Sequence, residues 1–284
     1  MYQKGIGVPH DLVQADRFYR RGCQGGSYTA CNDVGVLLHT GVGGAGNSAA
    51  AALWYERACV GGDGHGCVNL GELYRSGDGV PQGDADANVW YTKACALDNG
   101  LACRQLGWSL QQGLGTPVND VGAVALYQKA CDLGHLDGCN DLGAMMTMNR
   151  GVAPDPALSF SLYRRACDGD IAAACRNVGT AYQSGRGVAL DMVAAAAAYA
   201  RGCDLGHHQS CNDIGVFALN GWGIAADPYA AATWFEAACN GSEALGCANL
   251  AMLYRDGRGV KKSRRTARRL EITACELGYQ ESCR

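Results

Sequence analysis

Cysteine recurs in this chain with a period that has no exception. The sixteen cysteines stand at 23 and 31, 59 and 67, 95 and 103, 131 and 139, 167 and 175, 203 and 211, 239 and 247, and 275 and 283. The first of each pair advances by 36 residues and the second follows by 8, with no insertion anywhere. A fixed period of this size marks a stack of supersecondary units, because one such unit cannot bury its apolar face alone. The period therefore restricts residues 1–284 to an array of about eight repeats, read as a single solenoid domain that starts and ends within a repeat.

Other columns keep the same phase. Gly5, Gly41, Gly77, Gly113, Gly185, Gly221 and Gly257 share one column, and its one exception is Asn149. Asn is the next most tolerant residue of left-handed backbone, so the column predicts φ > 0 just past a helix end. Two residues later comes a second column, Gly7, Gly43, Gly79, Gly115, Gly151, Gly187, Gly223 and Gly259. Four residues further stand Asp11, Asn47, Gly83, Asn119, Asp155, Asp191, Asp227 and Ser263, which read as helix N-caps. Pro156 and Pro228 then fall at N1, where the missing N–H is harmless. Each unit reads as helix A, a glycine stop, a short turn, a capped helix B and a tight corner into the next helix A.

Helix B is expected to carry a buried stripe made of the column Phe18, Trp54, Trp90, Leu126, Leu162, Ala198, Trp234 and Leu270, the ring column next to it, and the small residues Ala15, Ala51, Ala87, Ala123, Ser159, Ala195, Ala231 and Ala267, which let a neighbouring helix approach. The ring column runs from Tyr19 to Phe235 and ends in Glu271. Helix A places Cys31, Val34, Gly35 and Leu38 on one face at i, i+3, i+4 and i+7. Helices of three to four turns are marginal alone, so stability must come from stacking.

Residues eight apart on an unbroken helix are about 12 Å from each other, whereas a disulfide needs Cα atoms within about 7 Å. The chain must turn between the two cysteines of a pair, and segments such as Gly61-Gly62-Asp63-Gly64 can do so. Sixteen cysteines allow many connectivities, but the repeat makes local pairing the economical one. The expected bonds are Cys23–Cys31, Cys59–Cys67, Cys95–Cys103, Cys131–Cys139, Cys167–Cys175, Cys203–Cys211, Cys239–Cys247 and Cys275–Cys283. Each would clamp one repeat to the next, and closing so short a loop is worth roughly 2–3 kcal/mol in the chain-entropy account. Metal ligation is the rival use of cysteine. No Cys-x2-Cys occurs, and His10, His39, His65, His135, His207 and His208 keep no common phase, so no metal and no cofactor are expected. Disulfides persist in oxidising compartments, which points to the periplasm or the medium. The N-terminus has no apolar leader, and an export signal is expected upstream of it.

With Ala87-Asn88-Val89-Trp90-Tyr91-Thr92-Lys93-Ala94-Cys95, then Leu106-Gly107, then Gly-x-Gly, the chain resembles Sel1-like repeats over its whole length. The Cys-x7-Cys variant is similar to the helicobacter cysteine-rich proteins. The resemblance implies an all-α, right-handed superhelical α/α solenoid of 36-residue helix pairs, related to tetratricopeptide repeats, with one disulfide per repeat. It also implies an exported adaptor, and some cysteine-rich relatives are described as penicillin-binding or weakly hydrolytic β-lactamase proteins. The alternative reading is accordingly a β-lactam or peptidoglycan-like small-molecule ligand.

No catalytic motif supports the enzymatic alternative. A serine β-lactamase carries Ser-x-x-Lys and Lys-Thr-Gly. None of Lys4, Lys93, Lys129, Lys261 and Lys262 follows Ser by three residues or opens Lys-Thr-Gly. Near-balanced charge, 24 Lys plus Arg against 27 Asp plus Glu, gives no reason to expect nucleic acid. No apolar run reaches membrane-spanning length. A monomer that binds a protein or peptide remains.

By analogy with tetratricopeptide arrays, helix A would line the concave side. One polar column there is Asp33, Asn69, Gln105, Asp141, Asn177, Asp213 and Asn249, suited either to bond a peptide backbone or to satisfy neighbouring repeats. Around it the sequence varies, which is where specificity can reside. Asn69, Glu72, Arg104, Gln105, Trp108, Gln111, Asp141, Arg176 and Asn177 are the candidate partner-binding residues, with Trp108, Arg104 and Gln111 as anchor. Residues 261–284 form a basic end unit with Lys261, Lys262, Arg264, Arg265, Arg268 and Arg269. That unit suits either an acidic partner or a solvated cap of the array.

Overall fold

The computed structural model describes residues 11–41 and 46–283. The expectations for Met1–Gly5, Gly7, His10 and Gly43 lie outside the described residues. Helix B of successive repeats is α1 Leu12–Gln24, α3 Ser48–Val60, α5 Asp84–Ala96, α7 Asp120–Asp132, α9 Pro156–Asp168, α11 Met192–Asp204, α13 Pro228–Asn240 and α15 Arg264–Glu276. Helix A is α2 Tyr28–Thr40, α4 Gly64–Ser76, α6 Gly100–Gln112, α8 Leu136–Thr147, α10 Ala172–Ser184, α12 His208–Asn220 and α14 Ala244–Asp256. A short 3-10 turn, Gln280–Ser282, follows α15, and no strand occurs among the described residues.

The chain divides into two compact units, Met1–Gly138 with Arg150–Val152, and Cys139–Asn149 with Ala153–Arg284. Each is a helical solenoid segment in which every helix packs on its sequence neighbours: α2 to α7 in the first, α9 to α15 in the second. Helix boundaries follow the caps. Asp11, Asn47, Asn119, Asp155, Asp191, Asp227 and Ser263 each accept from a backbone N–H of the first turn that follows. Gly83 caps α5 without a side chain, compensated by Asp84 and Asp86 near the helix's positive end. Helix A ends left-handed, with Gly77 at φ 74° and, where the column changes residue, Asn149 at φ 53°.

The corner between helix B and helix A also turns on positive φ. Gly26, Gly62, Asp98, Gly134, Asp170, Gly206, Ser242 and Gly278 occupy that step, from 57° at Asp98 to 99° at Gly278. The reversal brings paired cysteines to Cα separations of 4.5 to 5.0 Å. Cys23–Cys31, Cys59–Cys67, Cys95–Cys103, Cys167–Cys175, Cys203–Cys211, Cys239–Cys247 and Cys275–Cys283 are bonded. Cys131 and Cys139 are also in disulfide form, and no described cysteine is free.

Glycine inside helix A decides how closely the next helix B approaches. The rings of Tyr55, Tyr91, Tyr127, Tyr163, Tyr199 and Phe235 lie flat over Gly35, Gly71, Gly107, Gly143, Gly179 and Gly215, where an added Cβ would come within 2.5–2.9 Å of ring carbon. In the last repeat both partners change together, to Ala251 and Glu271. The second glycine column lies over the first turn of helix B in the same hairpin, as Gly187 does over Pro156, which shows α9 and α10 to be antiparallel.

The buried stripe of helix B matches expectation at its small-residue and ring columns and differs at its tryptophan column. Ala51, Tyr55, Ala58 and Cys59 are buried, as are most of their equivalents, whereas the tryptophan column is half-buried except at buried Leu162, and Phe18 is 52% exposed. Ala at two of these columns lets helix A close in from either side, and the bulky column is left at the edge. On helix A, Cys31, Val34 and Gly35 of the expected face are buried and Leu38 is half-buried, while the column of Leu37, Leu73, Met145, Phe217 and Leu253 is buried in addition, because helix B packs against helix A from both sides.

Gly71→Ala should lower the melting temperature by the equivalent of about 1–3 kcal/mol, since backbone and ring are both fixed. In a thermal double-mutant cycle with Tyr91→Ala the combined loss should be smaller than the sum of the two, because removing the ring gives the new methyl its space. Strict additivity would mean that the close approach does not set the packing.

Candidate interaction surface on helix A

In the first unit, the open face of α4 and α6 carries Asn69, Glu72, Arg104, Gln105, Trp108 and Gln111. Most of these side chains are held by the scaffold. Asn69 Nδ2 donates to Asn32 Oδ1 at 2.8 Å, from α4 to α2. Glu72 accepts from the Tyr91 hydroxyl at 2.9 Å, from Gln105 Nε2 at 3.1 Å and from Arg75 Nε at 3.1 Å. Gln111 Oε1 accepts from the Tyr127 hydroxyl at 2.7 Å. Burial first, and then the Glu72 carboxylate, hold the Tyr91 hydroxyl well above the usual phenol range, so it stays a donor. Trp108 is different: its indole is 45% exposed beside half-buried Arg104 and Gln105.

In the second unit, Asn177 Nδ2 donates to Asn140 Oδ1 at 2.8 Å and Asn140 lies 3.4 Å from Asp141. Arg176 Nε donates to Asp213 Oδ2 at 2.7 Å, and Asn249 Nδ2 to Asn212 Oδ1 at 2.8 Å. The polar column therefore bonds from one helix A to the one before it, stepping 37 residues, one more than the repeat. Each of these Asn side chains spends one donor there and keeps a carbonyl oxygen and a second N–H for other partners.

The tyrosine hydroxyls are a site feature that residue columns taken singly do not reveal. Rings buried on glycine deliver their oxygens to the open face, where Glu72, Gln111, Thr147 and Gln183 meet them. A signal existed in the sequence: where the ring loses its hydroxyl, at Phe235, the residue in the Gln111 column becomes Leu219.

Nothing among the described residues gathers three His, Cys, Asp or Glu side chains as a metal site would. His207 caps α12: its Nδ1 accepts from Ser210 N at 3.2 Å and lies 2.9 Å from Ser210 Oγ. Burial, and next the charge of Arg176, lower its pKa below the ordinary histidine value. The basic side chains Lys261, Lys262, Arg264, Arg265, Arg268 and Arg269 are all exposed, and Arg268 reaches Glu271 at 3.8 Å.

A sequence profile of the Sel1 repeat matches residues 1–27, 29–63, 64–99, 100–135, 136–170, 172–207, 208–242 and 244–279. The chain belongs to the Sel1 repeat family. Its repeats are of the cysteine-rich kind, with a disulfide in each. No curated protein matches the chain in sequence. Among solved structures, a protective antigen of uropathogenic Escherichia coli displaying an SLR fold is 26% identical, with a TM-score of 0.85 over 99% of this chain. The chain spans 60% of that protein's length. A Sel1 repeat protein from Oxalobacter formigenes is 24% identical, covering 81% of this chain and 97% of its own, with a TM-score of 0.71. Helicobacter pylori cysteine rich protein B is 29% identical over 46% of this chain and 93% of its own, with a TM-score of 0.39. The Sel1 fold is an interaction scaffold whose repeats generally bind proteins.

The capping histidine gives a pH signature. Its folded pKa lies below its unfolded value of about 6.5, so the unfolded chain binds the proton more tightly. The stability it contributes is complete above about pH 6.5 and declines as pH falls through that value towards the folded pKa. His207→Asn, which copies the cap Asn99 of α6, should flatten the melting-temperature decline between about pH 7 and pH 5. Superimposable wild-type and variant profiles would remove His207 as the source.

Proposed function

We propose that this chain is an exported scaffold that binds a protein or peptide through the open face of helix A, with Trp108 as its anchor in the first unit. The observation that carries this is the contrast on one face. Glu72, Gln105 and Gln111 are tied to the scaffold, while a large aromatic plate stands 45% exposed among them. A face ordered before binding loses little side-chain entropy on contact, and exposed Trp flanked by Arg and amides matches the composition of interface hot spots. In the second unit, Asp141, Arg176 and Asn177 are proposed as polar rim residues of the same kind of face.

Disulfides in every repeat suggest an oxidising compartment, and the periplasm or the medium is the proposed location. No described helix is long and apolar enough to cross a membrane. The basic unit, 261–284, is proposed as a solvated face of the array, since its cations are exposed.

The test is affinity capture from the native periplasm and medium with the oxidised full chain, followed by titration of the captured partner. Trp108→Ala should weaken that partner by about 2 kcal/mol, near thirtyfold in Kd, with a melting temperature shifted by no more than a surface substitution allows. Undiminished affinity would remove the anchor, and a large fall in melting temperature would place Trp108 in the packing instead.

A further inference from the structure

Repetition makes each repeat a reference for the others, and one repeat of the second unit departs from them at two positions that meet. The first is Ala181 of α10. The same column holds Leu37, Leu73, Met145, Phe217 and Leu253, all buried. Beside Ala181, where those larger side chains are missing, lies a cavity of about 600 Å³ between α9 and α10. Phe160, Pro156 and Tyr163 form its apolar walls, with Thr147 and Arg186 also in the lining. That volume is in the range of small-molecule sites.

The second departure is Arg186. Its counterpart in the first unit, Arg150, donates to Asp120 Oδ1 at 2.7 Å and Oδ2 at 3.1 Å, and to the Gln111 carbonyl at 3.3 Å. Arg186 keeps the equivalent backbone bond, Nη2 to the Thr147 carbonyl at 3.1 Å. It has no carboxylate partner among the described residues, because Pro156 stands where Asp120 stands 36 residues earlier. A guanidinium has five N–H donors in a planar fork, so most of Arg186's remain for an anion. Nearby, the Tyr163 hydroxyl and Thr147 Oγ1 lie 3.0 Å apart, and one of the two can donate outward.

Neither departure has this company elsewhere among the described residues. Ser109 is the other small residue of the Ala181 column, but Leu114 then replaces the arginine. Arg258 shares the arginine column and Pro228 the proline, but Leu253 fills the space. The repeat of α9 and α10 thus combines an open apolar cavity with an arginine lacking a carboxylate among the described residues.

We propose that this cavity binds a small organic anion, with an apolar body of about one ring against Phe160 and Ala181 and a carboxylate on Arg186 and the Tyr163–Thr147 hydroxyl pair. This site is independent of the Trp108 surface, and either can hold without the other.

The experiment is calorimetric titration of the oxidised full chain with 3-phenylpropionate, 3-phenylpropan-1-ol and 3-phenylpropylamine, which share a body and differ in charge. The anion should bind at least tenfold more tightly than the alcohol, and the amine most weakly. Ala181→Leu, which installs the residue of three other repeats, should weaken the anion and the alcohol at least tenfold. Pro156→Asp, which copies Asp120 at a helix first turn, should give Arg186 an internal carboxylate and abolish the preference for the anion over the alcohol. Failure of the wild type to bind the anion at millimolar concentration overturns the proposal. So does equal binding of the three probes, or retention of the anion preference in Pro156→Asp. The last variant decides the matter if Ala181→Leu does not fold.

Discussion

The close approach of an aromatic ring to a helical glycine, repeated down the chain, is the contact on which the other features depend. Glycine costs a helix about 1 kcal/mol relative to Ala, so its retention in the middle of helix A needs a compensation. That compensation is the ring of Tyr91 or its equivalent, lying where a Cβ would be. The same contact fixes where the tyrosine oxygen emerges, and thereby which residues of the open face are held by it. Glu72 and Gln111 owe their orientation to rings packed on Gly71 and Gly107, one and four residues before them on the same helix. The last repeat shows the dependence from the other direction: Ala251 replaces the glycine, and Glu271 replaces the ring, pairing with Arg255 at 3.3 Å.

The disulfides act on a different joint. They bridge the corner from helix B to the next helix A, where a residue with positive φ reverses the chain within three steps. Each closes a loop of only 8 residues in sequence, so the entropy it removes from the unfolded chain is local and is repeated in each unit. The glycine–ring contact joins helix A to the following helix B, and the disulfide joins that helix B to the next helix A. Short two-helix units that could not stand alone are thus constrained at both of their joints, one by packing and one covalently.

An array built this regularly makes its irregularities informative. Trp108 occupies a column otherwise filled by Val36, Glu72, Ala144, Thr180, Val216 and Met252, and it changes the surface without touching the scaffold columns. Ala181 and Pro156 change a core column and a helix first turn, and together they leave a cavity and an arginine without its acid. The scaffold tolerates both kinds of departure because each repeat contacts only its neighbours, so a local change is not transmitted along the array.

Backbone requirements were legible in the sequence by itself, because they are local. The N-cap column ran through Gly83 and Ser263, and Asn149 betrayed a left-handed position that glycine elsewhere would have concealed. The cysteine period located the corners for the same reason. Which faces are buried was less legible: the tryptophan column holds the largest single side chains of helix B, yet apart from Leu162 it sits at the edge because alanines let both neighbouring helices approach elsewhere. The polar column was visible as a column, but not its use. Asn69 meets Asn32 and Asn177 meets Asn140 only because stacked repeats are offset by one residue beyond the period. Sequence alone determined the repeat, its corners and its caps, since these depend on φ, hydrogen-bond caps and covalent reach within a few residues. Tertiary structure alone decided which side chains the stacking holds and which it leaves to a ligand, since that depends on the spacing between helices that no single repeat contains.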